Sequence, residues 1–578
     1  MKTKFSFSKK PRTSLLLATF TLLLLSAQTT ISAVGPTWDS SLSTDWNTNG
    51  NWLTVPAGGG YPGTTAGNTA TFNNLSSVTS LFLSATPANS IAAITFTASE
   101  THAFTITVDP AIILTISGTG IVNNSGITQN FVTAVSGFNV GTIAFTNSAT
   151  AGSMTSFTNA SSAVSGAFGG ETLFSGTSTA GTATITNNGG TVAGAPVGGG
   201  GGLTQFDGTD ASHFSTAGSA TITNNGGTVS GAIGGETDFI GTSTAGSATI
   251  TNNGGTVSGA FASHTEFFDS STAGSATLIA NGGTGEGGSI VFRASSTGGT
   301  STVKVFDGGS LDISLHNAPG VTIGSLEGSG HVLLGANNLT VGGNNLSKTF
   351  SGVIQDGGNA GGTGGSLTKT GTGTFTLSGA NTYTGATLVN VGTLLVNGST
   401  SSSSAVTVNN SGTTLGGTGT IGGVVTVNSG ANLHPGTSPG ILNTGSVTLN
   451  SGSNLLIDIN GAGAGTGYDQ LNVTGTVTLN GGNLVLTIGG TLTVGEQFII
   501  INNDLSDAVV GTFAQGTSVS SGGYTFSINY AGGDPNDVEL SVVSAPTPEP
   551  STWVAGALAC ALVAYTQRRR FAQLLRRA

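Results

Sequence analysis

Short apolar runs follow one another through most of the chain, and Gly, Asn and Ser separate them. In one representative unit, the sequence ATIT at 248–251 alternates in the way that half-buried β-strands do. The sequence NNGG at 252–255 is predicted to be a turn, because Asn and Gly tolerate positive φ. Thr256 and Val257 are predicted to begin a further strand, and Phe239 lies in a third. The pattern therefore predicts an all-β protein.

The same unit recurs, and its recurrence predicts the architecture. Successive late copies are 28 residues apart, and three short strands in that length suit one coil of a parallel β-helix. Each strand would pair with its equivalent in the next coil, repeated Asn could form ladders, and repeated Phe could stack inside. Copies of the motif, STAG followed by a strand, begin at Ser178, Ser215, Ser243 and Ser271.

The segment 365–398, GSLTKTGTGTFTLSGANTYTGATLVNVGTLLVNG, carries a second repeat signal. It closely resembles the autotransporter-associated β-strand repeat, with weaker echoes at 326–352 and 415–440. Members of that family form right-handed β-helical passengers. The resemblance therefore implies a right-handed parallel β-helix, or solenoid, as the body of this protein.

Both ends of the chain have the order of targeting segments. The start has a basic region up to Arg12, an apolar run at 15–25 and small residues after it, which is typical of a secretory signal peptide. The end has an uncharged stretch, 551–567, followed by Arg568, Arg569 and Arg570. Seventeen helical residues would span about 25 Å, so this stretch is predicted to be a single C-terminal membrane helix with its arginines in the cytoplasm.

The tail at 546–578 also resembles the PEP-CTERM sorting signal of Gram-negative bacteria. The resemblance rests on the order of Pro548-Glu549-Pro550, an apolar helix and the arginine cluster 568–570. It implies that an exosortase-type enzyme recognises the proline motif and processes the tail. The chain would then be exported through the inner membrane, held there by the helix, and delivered to the cell surface or the extracellular matrix.

The shifts in pattern divide the chain into seven segments. The two segments that flank the repeats are interpreted as caps, because an open end of a β-helix is an unpaired strand edge. The segments are a signal peptide or signal helix at 1–33, a Trp-rich N-terminal cap at 34–80, strand-rich entry coils at 81–140, a solenoid with 28-residue repeats at 141–300, autotransporter-associated repeats at 301–444, a C-terminal β cap at 445–545 and the sorting tail at 546–578.

The amino-acid composition excludes several classes of fold and of partner for this protein. Of 578 residues, 96 are Gly and only 7% are charged, which excludes long helices and a charge-rich disordered chain. Residues 34–545 hold 4 of the 14 basic and 24 of the 25 acidic residues, a formal charge of 4 − 24 = −20. Phosphate contacts need cations, so no nucleic-acid partner is expected. The one cysteine, Cys560, lies in the tail, so the exported body contains no disulfide.

Candidate chemistry is sparse. Trp38, Trp46 and Trp52 lie within fifteen residues; they are interpreted as an apolar cap over the first coil, with a carbohydrate-stacking platform as the alternative. The six histidines have no zinc-ligand spacing and are expected in exposed loops or coils. We predict no catalytic residue, metal or cofactor. Three acidic pairs are candidate hydrolase carboxylates or calcium ligands, with a plain turn favoured at 534–539: Asp207/Asp210, Asp504/Asp507 and Asp534/Asp537.

These observations favour an exported, non-enzymatic β-solenoid. It would act as a structural or adhesive element of the bacterial envelope, surface or exopolysaccharide matrix. Expected partners are an exosortase-type processing enzyme, exopolysaccharide or envelope glycans, and the membrane before processing. Two alternatives stay open: a polysaccharide-active enzyme, which requires two carboxylates facing each other on adjacent coils, and a self-assembling surface-layer component.

Overall fold

The computed structural model describes residues 36–576 apart from 41–42, 54–59, 65–66, 86–88, 194–199, 211, 438, 505–506 and 547–549. The predicted signal peptide at 1–33 lies outside these residues. Within them, the chain winds into a parallel β-helix whose strands form four ladders, here called sheets I to IV. The prediction of a parallel β-helical body is therefore confirmed.

Sheets I and II run side by side through the first two thirds of the β-helix, and each coil contributes one strand to each. Sheet I contains Thr37–Trp38, Trp52–Leu53, Thr69–Phe72, Asn89–Phe96, Ile113–Asn123, Thr142–Phe145, Glu171–Phe174, Leu203–Asp210, His213–Phe214, Glu236–Gly241, His264–Phe267, Ser289–Phe292, Ser310–Asp312, His331–Leu333 and Val353–Gln355. Sheet II contains Ser80–Leu83, Thr105–Val108, Gln129–Thr133, Thr155–Asn159, Thr184–Asn187, Thr221–Asn224, Thr249–Asn252, Thr277–Ala280, Thr302–Val305, Ser325–Gly328, Lys348–Phe350, Thr374–Leu377, Thr393–Val396, Thr414–Gly417, Asn432–Pro435, Asn454–Ile459 and Asn483–Ile488.

Sheets III and IV complete the later coils. Asn381 and Thr382 connect the end of sheet I to the start of sheet IV, because their N–H groups donate to Ser399 O at 2.8 Å and Ile354 O at 2.9 Å. Sheet III contains Gly320–Ile323, Asn338–Val341, Ser366–Lys369, Thr387–Val389, Val406–Val408, Val425–Val427, Val447–Leu449, Val477–Asn480 and Val509–Thr512. Sheet IV contains Ser399–Thr400, Thr420–Ile421, Ile441–Thr444, Gln470–Val473, Gln497–Asn503, Ser518–Ser521, Tyr524–Gly532 and Asp537–Ser544.

Three short elements lie outside these ladders. A small hairpin pairs Val135–Ser136 with Asn139–Val140, a 3-10 turn covers Asn49–Asn51, and an α-helix runs from Pro550 to Leu575. The ladders are parallel except at their ends and at the small pair formed by Leu203–Asp210 and His213–Phe214.

The repeated STAG motif forms the corner between sheets I and II. Its threonines bridge one another from coil to coil, and each hydroxyl accepts the N–H of the Gly two residues later, at 3.0 Å for Thr216 and Gly218. Gly218 has φ of 61°, and a Cβ there would lie 2.7 Å from Gly181 O. Only glycine fits both the conformation and the spacing, which explains why the motif repeats.

The sequence prediction for NNGG at 252–255 was wrong in its physical reason. Asn252 ends a strand and is fully buried, and the two glycines do not have positive φ. Gly is required because the coils approach closely here: a Cβ on Gly226 would lie 2.1 Å from Gly254 O. The strand predicted at 256–257 is also absent, since these residues form a bend and the threonine bridge supplies the third face.

Stacked phenylalanines fill the core of the early coils, as the repeats predicted. Neighbouring rings are 4.7 to 4.9 Å apart between centroids and within 9° of parallel. The separation matches the distance between adjacent strands, so each ring continues the stack of the previous coil. The stack contains Phe145, Phe174, Phe206, Phe239, Phe267 and Phe292.

A ladder of buried asparagines, here called the inner Asn ladder, lies beside that stack. Each amide N–H₂ donates to the amide oxygen one coil on, at 2.6 to 2.7 Å from Asn159 through Asn187 and Asn224 to Asn252. A threonine hydroxyl from sheet I donates to the same oxygen, for example Thr237 to Asn224 at 2.9 Å. All four asparagines are fully buried, so these bonds satisfy groups that water cannot reach.

Both ends of the stack are closed by strands that depart from the parallel pattern. At the start, Trp38 pairs with Trp52 in an antiparallel bridge. At the end, parallel coils continue to Thr512, and three antiparallel strands of sheet IV follow, Ser518–Ser521, Tyr524–Gly532 and Asp537–Ser544, the last of which pairs with Gln497–Asn503. Tyr524 and Phe526 from these strands are buried, so they cover the core at this end.

The prediction of a C-terminal membrane helix was wrong. The helix exists at Pro550–Leu575, but no helix in the described part of the chain is long and apolar enough to cross a membrane. Its uncharged stretch begins with Pro, Ser and Thr and ends with Tyr, Thr and Gln, and these residues lower its mean hydropathy.

Replacing a central member of the inner Asn ladder is expected to destabilise the protein. Asn224→Ala leaves buried partners on Asn187, Thr237 and Asn252 without their bonds. Each such group costs about 1–3 kcal/mol, so the melting temperature should fall clearly in thermal unfolding followed by circular dichroism. Asn253→Ala is the control, because Asn253 belongs to a half-exposed ladder with longer bonds of 3.0 and 3.2 Å. Equal effects of both substitutions would contradict the account.

Candidate functional site: a charged groove on sheet I

Outward-facing residues of sheet I collect charged groups on consecutive coils. In one row, Glu236 lies beside His264. In the next row, Asp238 lies beside Glu266, with Asp312 two coils further on. Alternate residues of a strand share a face, so the two rows are neighbours. Parallel pairing thus brings together groups that are far apart in the sequence.

Two ion pairs link adjacent coils at this face. His264 Nε2 lies 2.9 Å from Glu236 Oε1. Arg293 donates to both carboxylate oxygens of Glu266, from Nε and from Nη2, each at 2.8 Å. The guanidinium also lies over the ring of Phe268, 5.4 Å from its centroid. A two-pronged bond of this kind fixes the direction of the Glu266 carboxylate.

The carboxyl group of Asp238, which belongs to neither ion pair, has an unusual protonation state. Burial, reinforced by the negative charge of Glu236, raises the pKa of Asp238 to about 8. Burial alone would lower the pKa of His264, but its hydrogen bond to Glu236 outweighs that effect and raises the pKa to about 9. The hydrogen bond from His264 lowers the pKa of Glu236 against the effect of burial, so at neutral pH a protonated Asp238 lies beside an imidazolium and the Glu236 carboxylate. Asp238 Oδ1 is buried and makes no hydrogen bond.

An open cavity of about 500 Å³ lies next to this cluster. Asp312 is fixed at its edge, since its carboxylate accepts the N–H groups of Ser314 at 2.7 Å and Asn359 at 2.8 Å. Its walls combine apolar and hydrogen-bonding groups, as small-molecule sites in proteins do. The lining residues are Ile233, Phe261, Ala262, His264, Glu286, Gly287, Ser289, Val291, Ser310, Asp312, Leu333 and Asn359.

The three N-terminal tryptophans do not form an open platform. Trp38 and Trp46 are fully buried and Trp52 is 5% exposed. Trp52 meets the other two edge to face, at 5.0 and 4.8 Å between centroids, and all three contact Phe72. With both faces inside the core, the rings are not available to stack on a sugar. Their packing is that of an apolar cap.

Two of the three acidic pairs contain a carboxylate that holds a turn. Asp537 accepts the N–H of Asn503 at 2.9 Å and that of Asp534 at 3.2 Å, so it holds the turn of the C-terminal hairpin. Asp210 accepts the N–H groups of Ser212 and His213 in another tight turn.

The prediction that the histidines lie in exposed loops or coils was wrong for His264 and His434. His264 and His434 lie in strands rather than loops, and each has acidic neighbours. The repeats could have predicted the neighbour of His264. Aligning GGETDF at 234–239 with ASHTEF at 262–267 places His264 beside Glu236. For His434 no repeat gives such an alignment.

The proposed sorting residues are only partly within the described chain. Pro548 and Glu549 lie outside the described residues, and Pro550 is the first residue of the C-terminal helix. Arg568, Arg569 and Arg570 lie on that helix and are exposed.

Comparisons with known proteins agree with the repeat analysis. Residues 367–396 match the family described as Passenger-associated-transport-repeat, and they lie within the repeat segment at 365–398. The search of curated proteins gives no match. Among solved structures, the chain aligns with the Hap adhesin of Haemophilus influenzae at 12% identity and a TM-score of 0.24. The alignment covers 82% of this chain and 64% of the adhesin chain, less than two thirds of its length.

The charged groove predicts a pH-dependent stability. Asp238 and His264 bind their protons more tightly in the folded chain than in the unfolded chain. Their contribution to stability is therefore fully present below the ordinary pKa values of 3.8 and 6.5 and is lost as pH rises to about 8 and 9. We expect Asp238→Asn, which stays neutral, to melt like the wild type below pH 3.8 and at a higher temperature near pH 9. Asp307→Asn, at an exposed site, is the control and should follow the wild type at both pH values. Identical melting curves for all three proteins near pH 9 would argue against the buried, protonated carboxyl.

Proposed function

We propose that this protein is an exported, non-enzymatic β-solenoid that serves as a structural or adhesive element of the bacterial envelope, surface or exopolysaccharide matrix. The observation that carries the proposal is the unbroken coil-to-coil pairing of strands, from the tryptophan cap to the antiparallel cap. Pairing of this kind can present the same outward residue on successive coils, as it does for Thr186, Thr223 and Thr251 of sheet II. Repetition of weak contacts gives multivalent attachment without any single strong site.

Further support comes from the match of residues 367–396 to the Passenger-associated-transport-repeat. The acidic surface and the secretory pattern at 1–33 agree with export. We propose in addition that the tail is a sorting signal, in which Pro548, Glu549 and Pro550 are recognised by an exosortase-type enzyme. The partners on the outside would be exopolysaccharide or envelope glycans.

The sorting proposal predicts a shortened mature protein. In the native host, the C-terminus should lie near Pro550, and the arginine cluster at 568–570 should be missing. Mass spectrometry of the C-terminal peptide, after cell fractionation, measures this directly. Replacing the motif as Pro548→Ala with Glu549→Ala should leave the tail uncut, whereas Ser551→Ala is a matched control. An intact end at Ala578 in the wild type would refute the sorting role.

A second candidate function is polysaccharide cleavage in the charged groove. The specific observation in its favour is the pair Asp238 and Glu266, two carboxyl groups on adjacent coils, of which one holds its proton at neutral pH. General-acid cleavage of a glycosidic bond needs one protonated and one ionised carboxyl group.

One assay separates the two candidates. The purified chain is incubated with the host's exopolysaccharide, and co-sedimentation and new reducing ends are both measured. The non-enzymatic proposal predicts retention without sugar release, for the wild type and for Asp238→Asn alike. Release of sugar that Asp238→Asn abolishes and Asp307→Asn preserves would establish the enzyme instead. Neither retention nor release would refute both.

A further inference from the structure

Three groups with metal-ligating atoms meet on the coils just before the C-terminal cap. His434 lies on the sheet II strand Asn432–Pro435, and Asp458 on the next strand of the same sheet. Asp469 comes directly before the sheet IV strand Gln470–Val473. His434 Nε2 is 3.5 Å from Asp458 Oδ2 and 3.5 Å from Asp469 Oδ2. In the described part of the chain, no other His, Cys, Asp and Glu side chains form such a group of three.

The backbone holds the carboxylates in place. The side chain of Asp469 is fully buried, and it accepts the N–H of Gly440 at 2.7 Å through one oxygen and that of Asp458 at 3.0 Å through the other. The side chain of Asp458 is 13% exposed. A donor set that is fixed before the ligand arrives loses little entropy on binding.

The spacing is within ion-pair range, but it is longer than a direct charge-assisted hydrogen bond. Charge-assisted N–H···O bonds are about 2.7–2.9 Å long, and His434 Nε2 exceeds that with both partners. This nitrogen is shielded from solvent and makes no hydrogen bond. It is therefore a buried polar atom that faces two carboxylate oxygens at a distance too long to bond them.

The same spacing suits an ion between the three groups. Two ligand atoms that each lie about 2.1 Å from a metal and 3.5 Å from one another subtend about 113°, close to the tetrahedral angle. One imidazole nitrogen and two carboxylate oxygens are ligands of first-row transition ions, whereas calcium takes six to eight oxygens. The two carboxylates would neutralise a divalent charge.

We propose that His434, Asp458 and Asp469 bind one divalent first-row transition cation, of which Zn²⁺ is the representative. The three side chains supply three ligands, and a water molecule would complete a tetrahedral set. The ion connects two strands of sheet II with the start of a sheet IV strand. It thereby cross-links the last coils of a body that contains no cysteine.

The test is a titration of the metal-free full-length chain with Zn²⁺ by calorimetry, and with Co²⁺ by visible absorption. We expect one equivalent to bind and Zn²⁺ to raise the melting temperature. The Co²⁺ spectrum should lack a thiolate charge-transfer band, which separates this site from Cys560. His434→Gln and Asp458→Asn should each weaken binding at least about tenfold, since each removes one ligand. His331→Gln, at an exposed histidine of sheet I, should bind like the wild type.

Two results would overturn the proposal. The first is Zn²⁺ binding that is as tight in folded His434→Gln and Asp458→Asn as in the wild type, because the ion would then lie elsewhere. The second is a correctly folded wild type, by circular dichroism, that binds neither ion. The three groups would then form an ion-pair cluster only.

Discussion

Stacking of equivalent side chains inside the coils fixes the register of the whole β-helix. A buried amide needs a partner, and for Asn187 that partner is the amide of Asn224 one coil on, at 2.7 Å. The phenylalanine stack imposes the same register from the neighbouring face. A slip of one residue would turn both rows outward and bring polar residues into the core, so the sequence tolerates a single alignment of adjacent coils.

Because the inward-facing rows fix the register, the number of residues in a coil and its outward-facing residues can vary. The ladder partners Asn187 and Asn224 are 37 residues apart, whereas Asn224 and Asn252 are 28 apart, yet the hydrogen bonds are equally short. The outward-facing residues of sheet I also vary from coil to coil. The row that contains Glu236 continues with His264 and Ser289, and this variation creates the charged groove.

Features that repeat could be predicted from the sequence, and features that depart from the repeat could not. The recurrence of Phe and Asn predicted the β-helix, the ring stack and the ladders. The groove depends on unlike residues at equivalent positions, so a search for identity passes over it. His434 and Asp469 lie 35 positions apart in coils of irregular length, where only the pairing of the strands shows that they meet. The prediction of a membrane helix was wrong for a local reason, since polar residues at both ends of the stretch lower its mean hydropathy.

The most direct test of the account is the removal of one whole coil. Deleting residues 215–242 joins Phe214 to Ser243, which follows the residue pattern of the original junction and lets Asn187 meet Asn252. The account predicts a folded protein with a melting temperature near that of the wild type, measured by circular dichroism. Deleting only residues 215–228 removes half a coil, breaks both inner rows and should abolish the cooperative transition. Equal stability of the two deletion proteins would contradict the claim that the inner ladders set the register.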